Sequence, residues 1–134
     1  MREYRFRGKR KDNGEWVYGY YYTQIITHAG NKKSRDHFIR TEQNVRYEVD
    51  PETVGQYIGV YDKSDNNKEV YEGDILKDNK GKVYEIVWGH DLLWLAKTNE
   101  KQGNCYCPKG LVEHGAVVAG NRWDNPELLK EGSV

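Results

Sequence analysis

Apolar and polar side chains alternate with a period of two in the first part of the chain. Tyr4 and Phe6 fall on one side of the first segment, and charged residues fall on the other. This alternation predicts a half-buried strand. The Asn-Gly pair at 13–14 supplies the positive φ angles of a tight turn, and residues 16–26 are dense in Tyr and β-branched residues. The opening therefore predicts a β-hairpin.

The same reading predicts short antiparallel strands along the rest of the chain, separated by turn residues. Polar composition predicts loops at 28–36 and 98–110. Asp50 before Pro51, and Asn125 before Pro126, are typical starts of very short helices. The predicted strands are 37–40, 45–49, 57–60, 70–71, 74–77, 83–88, 92–97, 111–112 and 116–122.

These elements predict a mostly β fold, or a β-rich α+β fold, with one or two very short helices. The meandering strands between residues 57 and 122 suggest an SH3-like small barrel. A chain of 134 residues fits one domain over 1–134. Within it, a subdivision into a basic aromatic β segment, 1–50, and an acidic barrel-like part, 51–134, is the alternative.

Charge is unevenly distributed although the net charge is zero. Residues 1–47 hold 11 Lys and Arg against 5 Asp and Glu, and residues 48–134 hold 10 against 16. A balance of +6 against −6 indicates contact with a polyanion, pairing with the unlike surface of a neighbouring copy, or neutralisation within one subunit.

Candidate nucleic-acid-binding residues lie in the basic half. Positive charge follows a phosphate backbone, and exposed rings stack on unpaired bases. Five cations fall within seven residues, and Trp16 with four tyrosines at 18–22 follows them. Alternating aromatic residues in a strand are also typical of a core, and the chain as a whole is neutral. The candidate cations are Arg5, Arg7, Lys9, Arg10 and Lys11.

Residues with catalytic or metal-binding chemistry form no convincing pattern. Cys105 and Cys107 are separated by one residue, whereas a zinc knuckle places two between its cysteines. Reduced thiols are therefore expected. Glu72 and Asp74 flank Gly73, and this tripeptide is typical of a turn rather than of an acid–base pair. We expect no cofactor, no metal, no catalytic residue and no small-molecule substrate.

Hydropathy indicates a protein of the cytoplasm. No run of 18 apolar residues occurs, so no membrane contact is expected. The charged start of the chain lacks the apolar core of a signal peptide.

Two motifs give the chain a likeness to a known family. They are Tyr-Glu-Gly-Asp-Ile at 71–75 and Gly-Asn-Arg-Trp-Asp-Asn-Pro-Glu-Leu-Leu at 120–129. Together with residues 5–7 and 17–19, they make the chain resemble the YopX family of phage and prophage proteins over nearly its whole length. The residues of these motifs that we expect to serve the shared fold are Tyr71, Gly73, Asp74, Gly120, Asn121 and Pro126.

The resemblance implies a prophage gene product in the cytoplasm of the host cell. It implies no activity, so no catalytic residue is carried over. The stretch at 26–42 looks longer and more polar than the family's usual middle, and a surface specific to this member could lie there.

The sequence thus predicts a non-enzymatic prophage accessory protein that acts through protein–protein contacts as a homo-oligomer. The alternative is a nucleic-acid-binding module that uses the basic half, and a third hypothesis is an uncharacterised enzyme.

Overall fold

The structure, a computed structural model, describes residues 5–89, 93–98 and 104–130. Its described elements are mostly antiparallel strands, with one short α-helix and three 3₁₀ turns. The predicted β-rich class is therefore confirmed. The chain divides into two compact units, Met1–Gln56 and Tyr57–Val134.

The first unit is an antiparallel sheet in the order β4-β3-β2-β1. On its other side, β1 pairs with Gly55 and Gln56, the first residues of β5. The strands are β1 (Phe6–Lys9), β2 (Trp16–Thr27), β3 (Lys33–Arg40) and β4 (Arg46–Glu48). The predicted tight turn between β1 and β2 is present, and Gly14 has a φ of 73°.

The loop predicted at 28–36 is wrong for residues 33–36, which belong to β3. Strands β2 and β3 form one long hairpin whose ladder continues to the Thr27–Lys33 pair. Only a 3₁₀ turn, Ala29–Asn31, separates them, and Gly30 and Asn31 provide its positive φ angles of 78° and 63°. Polar composition misled the prediction because both faces of the hairpin's end are solvated, so its strands carry no apolar alternation.

The apolar centre of the first unit lies on one face of this sheet. Ile39 and Val49 are fully buried. Gly8 lies directly against them, and a Cβ at that position would lie 3.2 Å from both side chains. The predicted helix start at Asp50 is a 3₁₀ turn, Pro51–Thr53, in which the Asp50 carboxylate accepts a hydrogen bond from the Glu52 N–H at 3.0 Å.

The second unit contains a five-stranded antiparallel sheet in the order β10-β9-β8-β7-β11, and a β5–β6 pair. Each edge strand of the sheet has one ladder neighbour, so the described pairings do not form the closed barrel that the sequence suggested. The strands are β5 (Gly55–Tyr61), β6 (Glu69–Tyr71), β7 (Asp74–Lys77), β8 (Val83–Trp88), β9 (Trp94–Thr98), β10 (Cys105–Tyr106) and β11 (Val117–Asn121).

The strand predicted at 111–112 is wrong, because these residues belong to helix α1 (Pro108–Glu113). Pro108 opens the helix, where its missing N–H costs nothing, and it is buried together with Val112 one turn later. The prediction treated Pro108 only as a loop residue. It also started β9 at residue 92, which lies outside the described residues, as does Tyr4 of the first predicted strand.

A continuous apolar core holds the second unit together. It combines one face of the sheet with β6, α1 and the residue before β11. Its buried members are Val70, Leu76, Tyr84, Ile86, Ala96, Val112 and Ala116.

Candidate functional site

The first part of the predicted basic cluster contacts an aromatic ring. Arg7 on β1 is only 4% exposed, and its guanidinium carbon lies 4.6 Å from the centroid of the Trp16 ring. The Lys9 ammonium lies 5.4 Å from the same centroid. Both pack against Trp16 because the β1–β2 register places Lys9 opposite Trp16 and Arg7 two residues further along the same face.

The second part of the cluster is neutralised by acidic neighbours. The Arg10 guanidinium makes two hydrogen bonds to the Asp12 carboxylate, at 2.9 and 2.6 Å, and lies 4.3 Å from the Tyr47 ring centroid. The hydrogen bond from Arg10 lowers the pKa of Asp12. The Lys11 ammonium lies 3.3 Å from a Glu48 carboxylate oxygen. The cations at 7–11 therefore serve contacts within the first unit.

Arg5, the remaining member, lines an open groove of about 560 Å³ in the first unit. The groove lies between the start of β2 and the turn that joins β3 to β4. Trp16, Tyr18 and Tyr47 supply aromatic surface to it, and Val45 also lines it. This concave surface is largely apolar.

Exposed and half-buried tyrosines and arginines lie together on one face of the β2–β3–β4 sheet. Tyr20 on β2 lies opposite Arg40 on β3, and Arg40 lies opposite Arg46 on β4. Tyr18 and Tyr20 are 46% and 67% exposed. We call the set Tyr18, Tyr20, Tyr22, Arg40 and Arg46 the tyrosine–arginine face.

The two arginines of this face are held by neutral groups. Arg40 donates hydrogen bonds to the Asn44 side chain at 3.1 Å and to the Tyr22 hydroxyl at 3.2 Å. Arg46 donates to Gln24 at 2.6 Å and stacks on Phe38, 4.1 Å from the ring centroid. Within the described part of the chain, no carboxylate pairs with either guanidinium.

Tyr22 reports the local excess of positive charge. Burial raises the pKa of its phenol, but hydrogen bonds from Arg46 and Arg40, together with their charges, outweigh burial and lower that pKa overall. The face therefore favours negative charge beside the Tyr22 hydroxyl.

An apolar tip lies at the end of the β8–β9 hairpin in the second unit. The rings of Trp88 and Trp94 meet edge to face with centroids 4.6 Å apart. Trp88 is 48% exposed and Leu93 is 58% exposed. Gly89 fixes this end of the hairpin, because its N–H donates to the Leu93 carbonyl at 2.8 Å. We call Trp88, Leu93 and Trp94 the apolar tip.

The two cysteines are exposed thiols that flank Tyr106. The described residues contain no group of three or more His, Cys, Asp or Glu placed to hold a metal ion.

The two sequence motifs, far apart in the chain, lie side by side in the second unit. Strand β7 pairs with β11 so that Asp74 faces Asn121, and the Arg122 N–H donates to the Gly73 carbonyl at 2.9 Å. Gly73 has a φ of 88°, and the Trp123 ring covers it so closely that a Cβ would lie 2.4 Å from that ring. The Asp74 carboxylate accepts a 2.7 Å hydrogen bond from the Tyr71 N–H.

Hydrogen bonds of the Asn121 amide organise the second motif. Its oxygen accepts from the N–H groups of Trp123 and Asp124 at 3.0 and 2.9 Å, and its nitrogen donates to the Asp124 carboxylate. A Cβ on Gly120 would lie 2.3 Å from the Asn125 side chain, and Pro126 begins the 3₁₀ turn Pro126–Leu129. The motif residues thus hold the turn at Gly73 against the turn that follows Asn121.

A scan against family models matches residues 5–130 of the chain to the model described as YopX protein. The chain belongs to the YopX family. This confirms the resemblance carried by the two motifs, and YopX membership fits a phage protein of unknown function. The comparison with curated proteins found no match to this YopX chain.

The motif residues of this chain make turn contacts within its second unit. Gly73, Asp74 and Asn121 make backbone and capping contacts, and nothing in their geometry requires a ligand. No helix among the described residues is long and apolar enough to span a membrane.

Proposed function

We propose that this YopX-family protein is a phage accessory protein of the host cytoplasm that acts through protein–protein contacts, first of all with copies of itself. The observation that carries the proposal is the apolar tip. Trp88 and Leu93 are large, exposed and adjacent to Trp94, whose ring holds that of Trp88 in place. Aromatic side chains of this kind are enriched at the centres of protein interfaces.

The distribution of charge favours an apolar contact between copies over an electrostatic one. Divided at the boundary of the two units, the chain holds 11 Lys and Arg against 8 Asp and Glu in residues 1–56, and 10 against 13 in residues 57–134. The net charges of the two units, +3 and −3, are half of the +6 and −6 counted for residues 1–47 and 48–134. Several of these charges also pair within one unit, such as Arg10 with Asp12 and Arg122 with Glu85.

The tip suits contact with the same tip of a second copy. An isologous contact of this kind uses each side chain twice, and it closes as a symmetric dimer. Apolar contact persists in salt, whereas attraction between unlike charged surfaces is screened over about 10 Å at 0.1 M salt.

The test is the mass of the purified protein by light scattering at low and at high salt. A multimer at both salt concentrations supports the proposal. A multimer that dissociates at high salt contradicts the apolar contact and indicates pairing of unlike charges. A monomer at both salt concentrations and at the highest attainable protein concentration overturns self-association.

A further inference from the structure

We propose that the tyrosine–arginine face of the first unit binds single-stranded nucleic acid, with the Arg40 and Arg46 guanidiniums on phosphate groups and the Tyr20 and Tyr18 rings on bases. This site differs from the predicted cluster at 5–11. It is also independent of the apolar tip, so either proposal can fail without the other.

The first argument is the direct opposition of two like charges. Arg40 and Arg46 face each other across the β3–β4 ladder. Like charges in this position destabilise a strand pair. The hydrogen-bond partners of both side chains are neutral oxygens of Asn44, Tyr22 and Gln24, which hold the guanidiniums in place without neutralising them. A phosphate between the arginines would remove this repulsion and accept charge-assisted hydrogen bonds.

The second argument is the placement of the rings beside these charges. Tyr20 is the ladder partner of Arg40, and it is 67% exposed. Tyr18 lies two residues earlier on β2, so the Cα atoms of the two tyrosines are about 6.7 Å apart and their side chains project from the same face. Base stacking on such rings is insensitive to sequence, because every base has a π face. Cations next to a row of exposed rings are the arrangement that single strands use.

The third argument is the electrostatic setting of Tyr22, whose hydroxyl lies 3.2 Å from the Arg40 guanidinium. Hydrogen bonds and charges of Arg46 and Arg40 lower the pKa of this phenol, so its negative form is favoured beside the two guanidiniums. The cations at 7–11 already have partners within the first unit. Trp16 contacts Arg7 and Lys9, Asp12 pairs with Arg10, and Glu48 pairs with Lys11.

The experiment measures the fluorescence anisotropy of labelled 15-nucleotide oligo(dT) and oligo(U) with the full chain across a salt series. Variant one is Arg40→Gln with Arg46→Gln, and variant two is Tyr20→Ser. The matched control is Lys33→Gln with Arg35→Gln, which removes two cations from other positions of the same hairpin. Circular dichroism melting establishes that each variant is folded.

The first expected result is a dissociation constant of about 100 µM or tighter at low salt. Removing both arginines lowers the salt slope by about 1.4, since each phosphate contact on a single strand contributes about 0.7. Tyr20→Ser weakens binding about 5- to 150-fold, the range of one lost base stack. Tyr20→Ser leaves the salt slope unchanged. The control pair lowers the salt slope by less than the Arg40/Arg46 variant does.

Four results overturn the proposal. The first is no binding of either oligonucleotide, and the second is an equal loss of slope in the control and the Arg40/Arg46 variant. The third is equal affinity for a 15-base-pair duplex, since its bases are not open to the rings. The fourth is tighter binding of a labelled poly-glutamate peptide, which would assign the face to an acidic protein partner. Binding of oligo(dT) and oligo(U) alike, or of one of them, supports it.

Discussion

The carboxylate of Asp62 accepts a hydrogen bond from the backbone N–H of Val118 at 3.0 Å, across 56 positions of the chain. Its other oxygen accepts from the Ser64 hydroxyl at 2.6 Å and from the Lys68 N–H at 2.8 Å. Asp62 is 1% exposed. One buried carboxylate therefore closes the β5–β6 loop on itself and ties it to β11.

We expect Asp62→Asn to destabilise the protein by about 2 kcal/mol at pH 7, because an amide leaves part of this donor set unsatisfied. Burial alone raises the pKa of Asp62, but hydrogen bonds from Ser64, Val118 and Lys68 outweigh burial and lower it overall. A folded-state pKa below the unfolded value of about 3.9 contributes stability above that pH, and the contribution is lost as the pH falls through the folded pKa.

The difference between native protein and Asp62→Asn should therefore shrink as the pH falls below about 4. Urea unfolding at pH 7 and at pH 3 measures it. Asp65→Asn, at an exposed position of the same loop, should match the native protein at both pH values. A difference for Asp62→Asn that does not change with pH would show that the carboxylate charge is irrelevant.

Gly73→Ala tests the contact between the two family motifs. The new Cβ would meet the Trp123 ring at 2.4 Å on a backbone with a φ of 88°. We expect a loss of about 3 kcal/mol, of which about 1 comes from the backbone conformation and the rest from displacing the ring.

Gly81→Ala is the matched control for this substitution. Its φ of 85° is nearly the same, but a Cβ there would lie 3.9 Å from the Lys77 side chain. It should cost only the backbone part, about 1 kcal/mol. Chemical denaturation measures the loss of stability in both variants. Equal losses would mean that the Trp123 ring moves away from the new Cβ at no cost in stability.

Tyr22 offers a spectroscopic test of the charge on the tyrosine–arginine face. Since guanidinium neighbours lower the pKa of its phenol, Arg46→Gln should raise that pKa toward the ordinary tyrosine value of about 10. Absorbance at the phenolate band, compared with the Tyr22→Phe variant to identify the signal, follows the titration. If Arg46→Gln leaves the Tyr22 titration where it was, the two guanidiniums do not set the local potential.

The sequence predicted correctly those elements that depend on only a few consecutive residues. The turn at Gly14 depends on φ preference, and the 3₁₀ turn that begins after Asp50 depends on capping. Both are present. The predicted bounds of β7 and β8 match the observed ones, and β8 shows period-two alternation because Tyr84 and Ile86 contact the core on one face. Helix α1 was missed because it is six residues long, too short to show helical periodicity.

The candidate surfaces were harder to predict, since they depend on which strands become neighbours. The sequence places Arg5 to Lys11 together, but the fold directs Arg7 to Trp16 and Arg10 to Asp12. Arg40 and Arg46 were assigned to short separate strands, and only the β3–β4 register shows that they face each other. The tyrosines at 18, 20 and 22 were among the candidate stacking residues, and Tyr18 and Tyr20 are exposed.

Self-association through the apolar tip is the part of the proposed function that a single comparison of variants tests most directly. Light scattering on the Trp88→Ser/Leu93→Ser variant, beside Ile25→Ser as a control at another exposed apolar position, determines the mass of each. We predict a multimer for the native protein and for Ile25→Ser, and a monomer for the tip variant, since each lost side chain should cost about 2 kcal/mol. A tip variant that keeps the native mass would contradict self-association through this surface.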